Sequence, residues 1–507
     1  MNQFISLSPF WIVALGLLLL MLSDSFASGP ASPSGGAEVG KAERTIGLSI
    51  GTAVVMFAGA CFALAMGLSQ SSFAHTVGIA QITLDSFAYF FICVLCVLSG
   101  LASLLGGAYL SEHRIHHTEF FLLLGWSTLG AMALVSAADL ITLFVALETL
   151  SLGTYCMVGM RRTPRAMEAA LKYFLLGSFS SALLLFGSAL LYGATGHTDF
   201  AGIAEQIRHV GEGSLIVPLL VGGTVLLLAG LMFKIAAVPF HAWTTDAYEG
   251  APTPATVFMA AVVKTAAFGL LLRVLLVILP DPRLMSWGVG WTGGIATISV
   301  ITMSVANLIA SRQSSVKRML AYSSIAHAGY ALIGVASLGG SADAQASVSL
   351  YIVAYAISTL GAFGTLIWAG SYQAEAVSYA DLAGLGRRKP ALALAFSLFV
   401  LSLAGIPPTA GFFGKLTVFR AAVDANILGL AVIGLVNSVV ASYYYMKVIV
   451  VMYMQEPEEG AIPARPLRSA LLGTALVVAA LLVLVLGIFP ETILNALAHT
   501  PFAGPTS

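Results

Sequence analysis

The sequence predicts an all-α polytopic membrane protein of about 14 transmembrane helices, built around two inverted five-helix repeats (spans 4–8 and 9–13) in which spans 7 and 12 are broken. Three observations carry that reading. The 507 residues are 58% hydrophobic and 9% charged, with mean hydropathy +0.94, where a soluble domain carries about a quarter charged residues. Apolar runs near the length of a bilayer crossing recur along the whole chain. The basic residues that lie between runs fall almost entirely between alternate ones.

A bilayer crossing needs about 20 apolar residues. Runs that meet it lie near 8–23, 45–68, 84–109, 119–136, 138–159, 167–192 and 214–238, and then near 253–279, 287–310, 320–338, 346–369, 391–420, 427–453 and 468–494. The first, PFWIVALGLLLLML, ends in SDSFASGPASP and has the look of a signal peptide. No Lys or Arg precedes Lys41, however, so the basic leader region is missing and the run reads as a membrane helix. The Gly/Ser/Pro stretch 24–40 is a flexible loop. Grouping the runs gives an N-terminal three-helix segment (1–118), a first repeat (119–279), a second repeat (287–453) and a C-terminal helix (454–507).

Sidedness follows from Lys and Arg. Loops after odd-numbered runs hold fourteen of them, among them Arg161, Arg162, Arg165, Lys317, Arg318, Arg387 and Arg388. Loops after even-numbered runs hold Arg208 and Arg283. Positive residues stay inside, so the odd-numbered loops are cytoplasmic and both termini face the periplasm of a bacterial inner membrane. Net charge is zero, which gives no case for nucleic acid as a partner. The four cysteines lie in apolar runs; Cys93 and Cys96 form a lone C-x-x-C without metal-ligating neighbours, and read as small packing residues. No phosphate loop, metal cluster or haem motif appears, so neither a metal nor a redox cofactor is expected on this chain.

What remains is a set of ionisable residues within the runs: Glu148, Lys172, Lys234, Lys264, Arg273, Lys415, Arg420 and Lys447. Each costs about 2.5–3.5 kcal/mol at a bilayer centre on insertion scales, so each requires a reason. Arg273, Arg420 and Lys447 are close enough to run ends to snorkel, and Asp85 and Asp139 sit at ends where water is available. Lys172, six residues into its run, reads either way. Glu148 and Lys264 lie half-way along theirs. Lys234 precedes Pro239, and Lys415 follows Pro407 and Pro408; a proline frees a carbonyl and interrupts the helix. Broken backbone at membrane depth persists where it lines a polar cavity. A glutamate and a lysine there form a switch: paired, both are charged, and apart the desolvated lysine releases its proton. His241 and His327 are placed to relay protons, or equally to pack as hydrogen-bonded core residues. Deep lysines outnumber deep acids, which favours protons over sodium as the cargo.

Taken together, FVALETLSLGTY, AMEAALKYFLLGSFSSALLLFGSALLYG, FKIAAVPFHAWTTDAYEGAPTPATVFMAAVVKTAAFGLLLR, RMLAYSSIAHAGYALIG and LAGIPPTAGFFGKLTVF resemble the antiporter-like membrane subunits of respiratory complex I, over residues 110–450. The resemblance is strongest to the N-type branch of that family; Lys415 stands where the M-type branch has glutamate, and Glu249 where the N-type loop commonly has glutamine. The resemblance implies a proton-translocating subunit of NADH:quinone oxidoreductase. In that role Glu148 tunes its lysine partner, Lys172 is the sixth-helix lysine, Lys234 lies on the broken seventh helix, Lys264 is central and Lys415 points toward the exit. It also implies neighbouring membrane-arm subunits as partners, with FMN, iron–sulfur clusters and quinone held on other subunits. Two further readings stay open: a subunit of a multisubunit cation/proton antiporter, and a structural subunit whose buried charges lock helices together.

Overall fold

The computed structural model describes residues 2–27, 37–70, 77–79, 81–115, 118–210, 216–287, 290–370, 375–456, 469–491 and 493–494. Fourteen spans emerge in the expected order. Spans 1–6 are Ser8–Ala27, Ala37–Gln70, Ser86–Glu112, Glu119–Ser136, Leu140–Gly159 and Pro164–Thr195. Span 7 is split into Val217–Lys234 and Ala242–Gly250, and span 8 runs Thr253–Ile278. Spans 9–11 are Trp291–Ala310, Val316–Ala336 and Ala344–Ala369; span 12 is split into Pro390–Ala404 and Ala410–Asp424; spans 13 and 14 are Leu428–Met454 and Ala470–Ile488. Twelve of these helices are long and apolar enough to cross a membrane whole, and Glu119–Val135 and Pro390–Ala404 are shorter apolar helices.

Local chemistry sets the ends. Asp85, Asp139 and Asp199 each stand just before a helix in extended backbone and accept its first amide hydrogens, at 2.8 Å from Ala88, 2.7 Å from Ile141 and 2.7 Å from Gly202. Gly196 closes span 6 at φ 74° and Gly405 closes the first half of span 12 at φ 85°, the left-handed backbone that glycine adopts without strain. The centre of the molecule is spans 8, 10 and 11, which are 89%, 94% and 100% buried; spans 1, 6, 13 and 14 are less than 40% buried and form the rim.

Several features were not legible as loops. Val77–Ile79 and Ile82–Leu84 pair as an antiparallel hairpin with Val77 opposite Leu84. Phe200–His209 is an amphipathic helix whose Phe200, Ile203, Ala204 and Ile207 are buried. These elements join on one face, where Ala138 donates to Gln81 O at 3.1 Å and Leu140 to Thr198 O at 2.9 Å. Span 2 begins at Ala37, so part of the expected 24–40 loop is helix; residues 28–36 lie outside the described set, as do Arg465 and Arg468.

Three expectations about charge fail. Asp139, which caps span 5, is 6% exposed rather than in water. Arg273 does not snorkel, and Asp85 is not in water. The two form a bidentate pair at 2.7 and 3.1 Å, with the Arg273 Nε donating to Val135 O at 2.8 Å, and both residues are about 2% exposed. The fold brings the start of span 3 against the end of span 8, which closes off the water Arg273 was expected to reach. Arg420 does reach the surface, where it lies 3.7 Å from Asp424, and the Lys447 ammonium rests 4.3 Å over the Tyr379 ring.

Candidate proton-conducting site

The site is built from two interrupted helices and one distorted helix between them. In span 7 the first half ends at Lys234. Ala236 follows in left-handed backbone at φ 61°, and the second half starts at Ala242. The loosened groups find partners: the Ala236 and Ala237 amides donate to Phe233 O and Met232 O at 3.0 and 2.9 Å, the Val238 amide to Thr302 Oγ1 of span 9 at 3.0 Å, and the Trp243 indole to Phe233 O at 3.1 Å. Span 8 carries π-helical turns at Met259–Val263 and Val274–Ile278, on either side of the segment Lys264–Arg273. Such turns gather at functional sites because they re-aim the side chains that follow. In span 12, Gly405 opens the break and Lys415 sits in the second half.

Pro239, Pro407 and Pro408 are exposed on the outside of the chain. These prolines, which carry no N–H, lie at the surface, while the Ala404 carbonyl at the span-12 break faces inward to Lys415.

Three ammonium groups share the interior. The Lys234 Nζ, on a residue 2% exposed, donates to Ser151 Oγ at 2.7 Å and Tyr155 OH at 3.3 Å, both on span 5. The Lys264 Nζ donates to Ser324 O and Oγ of span 10 at 2.5 and 2.6 Å. The Lys415 Nζ donates to Ala404 O, freed by the span-12 break, and to Ser438 Oγ of span 13, each at 2.8 Å. Aromatic rings stand beside each: Tyr155 at 5.4 Å from Lys234, Tyr355 at 5.7 Å from Lys264 and Tyr330 at 5.0 Å from Lys415. None of the three makes an ion pair with a carboxylate among the described residues.

His327 belongs to this interior. Its Nδ1 is 2.6 Å from Tyr351 OH and its Nε2 3.0 Å from Tyr445 OH, and Tyr445 also shares a hydrogen bond with Ser323, the neighbour of Ser324. Beyond it, Asn307 receives Tyr444 OH at 2.9 Å and donates to Tyr330 OH at 2.9 Å. Hydroxyl groups and one imidazole thus occupy the space between Lys264 and Lys415. Ser151, Tyr155, Ser324, Tyr445 and Ser438 escape a reading of charges alone; their only signal in the sequence is polar residues within otherwise apolar runs.

The other expected residues are placed differently. Glu148 is half-buried on span 5, one turn before Ser151, and accepts a hydrogen bond from Ser181. It does not touch Lys234: the serine and the tyrosine on its own helix take the ammonium instead. Lys172 is exposed and pairs with Glu168 at 2.8 Å and Asp246 at 2.9 Å, outside the buried row. It projects from span 6 onto the surface chain of charges Asp246–Arg318–Glu249–Arg165. His241 stands just before the second half of span 7, and among the described residues no hydrogen bond joins it to the buried row.

Glu375, unremarked in the sequence, sits in the connection between spans 11 and 12. It accepts from Tyr109 at 2.5 Å, Thr253 at 2.8 Å, Lys317 at 3.1 Å and Arg161 at 3.2 Å. Burial pushes its carboxyl up, but the two cations and two hydroxyls outweigh that and hold it down at about 2.

Residues 137–441 match the family described as NADH:quinone oxidoreductase/Mrp antiporter, TM. The chain is 54% identical over 510 residues, covering 98% of both sequences, to NADH-quinone oxidoreductase subunit N 1 of Sorangium cellulosum. It is similar in structure to a chain of respiratory complex I from Thermus thermophilus, at TM-score 0.78 and 32% identity over 97% of this chain and 100% of that one. The Mrp complex from Dietzia shares the fold, at TM-score 0.79 and 21% identity over 98% and 97%. A family match over residues 137–441 and a relative 54% identical over nearly the whole length establish the kinship: the protein is a member of the NADH:quinone oxidoreductase/Mrp antiporter membrane-subunit family.

Proposed function

We propose that this chain is a proton-translocating membrane-arm subunit of NADH:quinone oxidoreductase in a bacterial inner membrane. The observation that carries the reading is the set of three buried ammonium groups held only by neutral oxygens. A buried charge without a counter-ion is costly in a membrane span, and such residues mark ion or proton pathways. Purely structural charges are instead paired, as Arg273 and Asp85 are.

Protons reach Lys234 from the face that bears the Lys- and Arg-rich loops, the cytoplasmic side, with both termini opposite. Glu148, one helical turn before Ser151, acts on Lys234 through its charge, without a hydrogen bond between them. From Lys264 the proton passes by Ser324 to the Tyr445–His327–Tyr351 group, and on to Lys415. The two broken spans belong to inverted repeats, 119–279 and 287–453, which place one lysine near each break. Neighbouring membrane subunits supply the signal that moves Glu148, and FMN, iron–sulfur clusters and quinone are held elsewhere in the assembly.

The test compares Lys234→Ala with Lys234→Arg in inside-out vesicles, following proton uptake, NADH oxidation and complex assembly together. Alanine should abolish pumping in an assembled complex and arginine should retain part of it. Unchanged pumping with alanine would sink the reading.

A further inference from the structure

Two asparagines border the lysine row without belonging to it. Asn307 of span 9 is fully buried and Asn437 of span 13 is 8% exposed. The Asn307 Nδ2 donates to Tyr330 OH at 2.9 Å, to Asn437 O at 3.3 Å and to Asn437 Oδ1 at 3.2 Å, while its Oδ1 accepts from Tyr444 OH at 2.9 Å. The Asn437 Nδ2 donates to Ile433 O at 3.0 Å and to Ser304 Oγ at 3.2 Å. Main-chain carbonyls fix the sense of these bonds. A carbonyl oxygen only accepts, so the Asn437 carbonyl requires the Asn307 amino group on its side, and the Ile433 carbonyl requires that of Asn437. Asn307 Oδ1 is therefore left facing Tyr444, whose hydroxyl hydrogen is committed to it. Toward Tyr330 the amide presents N–H, and that hydroxyl is the acceptor.

The pair stands on the side of the row that faces the Lys- and Arg-rich loops. Ser299 Oγ donates to Gly329 O at 2.7 Å, which sets spans 9 and 10 level at that point. From there both helices approach the short connection that joins them. Asn307 is about two turns nearer that connection than Ser299, while His327 is less than one turn nearer than Gly329. Asn307 thus lies on the loop side of His327, and Arg312, just past the end of span 9, is exposed. The other side of the pair borders the exit half of the row. The Lys415 Nζ donates to Ser438, the neighbour of Asn437, and stands 5.0 Å from the Tyr330 ring. The Tyr444 ring packs 4.5 Å from that of Tyr445, which shares a hydrogen bond with His327.

We propose that Asn307 and Asn437 form a proton-tight plug, which keeps His327 and Lys415 from discharging back to the face of the Lys- and Arg-rich loops. An imidazole or an ammonium takes up and releases protons, and a hydroxyl passes one by turning; a carboxamide neither gains nor loses a proton at ordinary pH and holds its donors and acceptor on fixed sides. A proton that reaches the Tyr444 hydroxyl therefore stops at Asn307 Oδ1, and one on Tyr330 or Lys415 meets the N–H side of the same group. The exit half comes within about two turns of exposed Arg312, so a continuous hydroxyl chain there would short-circuit the membrane. A plug presupposes the proton path through Lys234, Lys264 and Lys415, and Lys234→Ala separates failure of that path from failure of the plug.

The experiment reconstitutes the assembled complex in proteoliposomes, imposes a pH gradient without NADH and follows its decay with an entrapped fluorescent pH probe. Asn307→Asp keeps the shape of the amide and adds a group that takes up and releases protons. It should speed the decay about tenfold, equivalent to about 1.4 kcal/mol off the barrier. Adding Lys415→Ala should return the rate to that of wild type, because the leak runs through Lys415. Asn307→Leu removes the same hydrogen bonds without an ionisable group, and should stay tight even where turnover falls. Asn437→Asp repeats the test at the partner should Asn307→Asp fail to assemble. Aspartate variants as tight as wild type, in a complex whose pumping Lys234→Ala abolishes, overturn the plug alone. Pumping that survives Lys234→Ala removes the path and the plug with it. An equal leak from Asn307→Leu and Asn307→Asp also overturns the plug, since loosened packing would then account for both.

Discussion

At the scale of single residues, the lysines are distinguished by what holds them. Ser151 accepts from Lys234 at 2.7 Å, closer than Tyr155 at 3.3 Å, and sits on the helix of Glu148. Ser151→Ala removes the nearer acceptor of a charged donor, an interaction worth about 1.5–3 kcal/mol. We expect coupled turnover to fall about tenfold or more with assembly intact, read as NADH oxidation in sealed vesicles before and after an uncoupler. A Ser151→Ala protein that pumps like wild type would show that Lys234 does not need Ser151 to work. Packing holds the same site in place: a Cβ on Gly177 would lie 2.0 Å from Tyr155 OH.

At the scale of elements, the two breaks solve one problem in different ways. Span 7 bends through Ala236 at φ 61°, a conformation that costs an ordinary residue about 1–2 kcal/mol. Span 12 bends through Gly405 at φ 85°, where a Cβ would fall 2.8 Å from Lys415 Cδ. Glycine is needed there for both reasons, backbone and space. Ala236→Gly should raise the melting temperature of the purified protein slightly, if the added freedom of the unfolded chain does not offset the relief. Gly405→Ala should displace the Lys415 side chain and reduce pumping far more than it reduces assembly. Equal loss of both would place Gly405 in folding alone.

At the scale of the whole molecule, buried pairs tie distant spans. Arg273 with Asp85 joins spans 8 and 3, and removal of one partner leaves a buried charge, at about 3–5 kcal/mol. Asp85→Asn and Arg273→Met should each destabilise strongly, and the double variant less than their sum, by denaturant unfolding in detergent. Additive losses would mean that the pair is not coupled. Glu375 fixes the meeting point of spans 3, 8 and 10. Its carboxyl is held at about 2 against an ordinary 4.5, so its contribution is complete above pH 4.5 and is lost as pH falls toward 2. That contribution is on the order of 3 kcal/mol. Thermal unfolding across this window should show a steep acid-side fall in wild type and a shallower one in Glu375→Gln.

Length and hydropathy were enough to determine fourteen crossings, and Pro239 and the Pro407–Pro408 pair were enough to locate both breaks, because lipid admits little beyond satisfied helices and a proline cannot satisfy one. Lys234, Lys264 and Lys415 were legible for the same reason: a charge in the middle of an apolar run has few explanations. Partners were not legible. Ser151 and Ser324 look like any serine in a membrane helix, and Glu148 and Lys234 looked like a pair until the fold gave each its own serine, Ser181 to Glu148 and Ser151 to Lys234. Lys172 and Arg273 exchanged fates for a related reason. Depth along a run says how far a side chain is from water along the membrane normal, but only the packing of helices says whether it faces the rim or the centre. The tertiary structure turned Lys172 outward to Asp246 and closed spans 3 and 8 over Arg273.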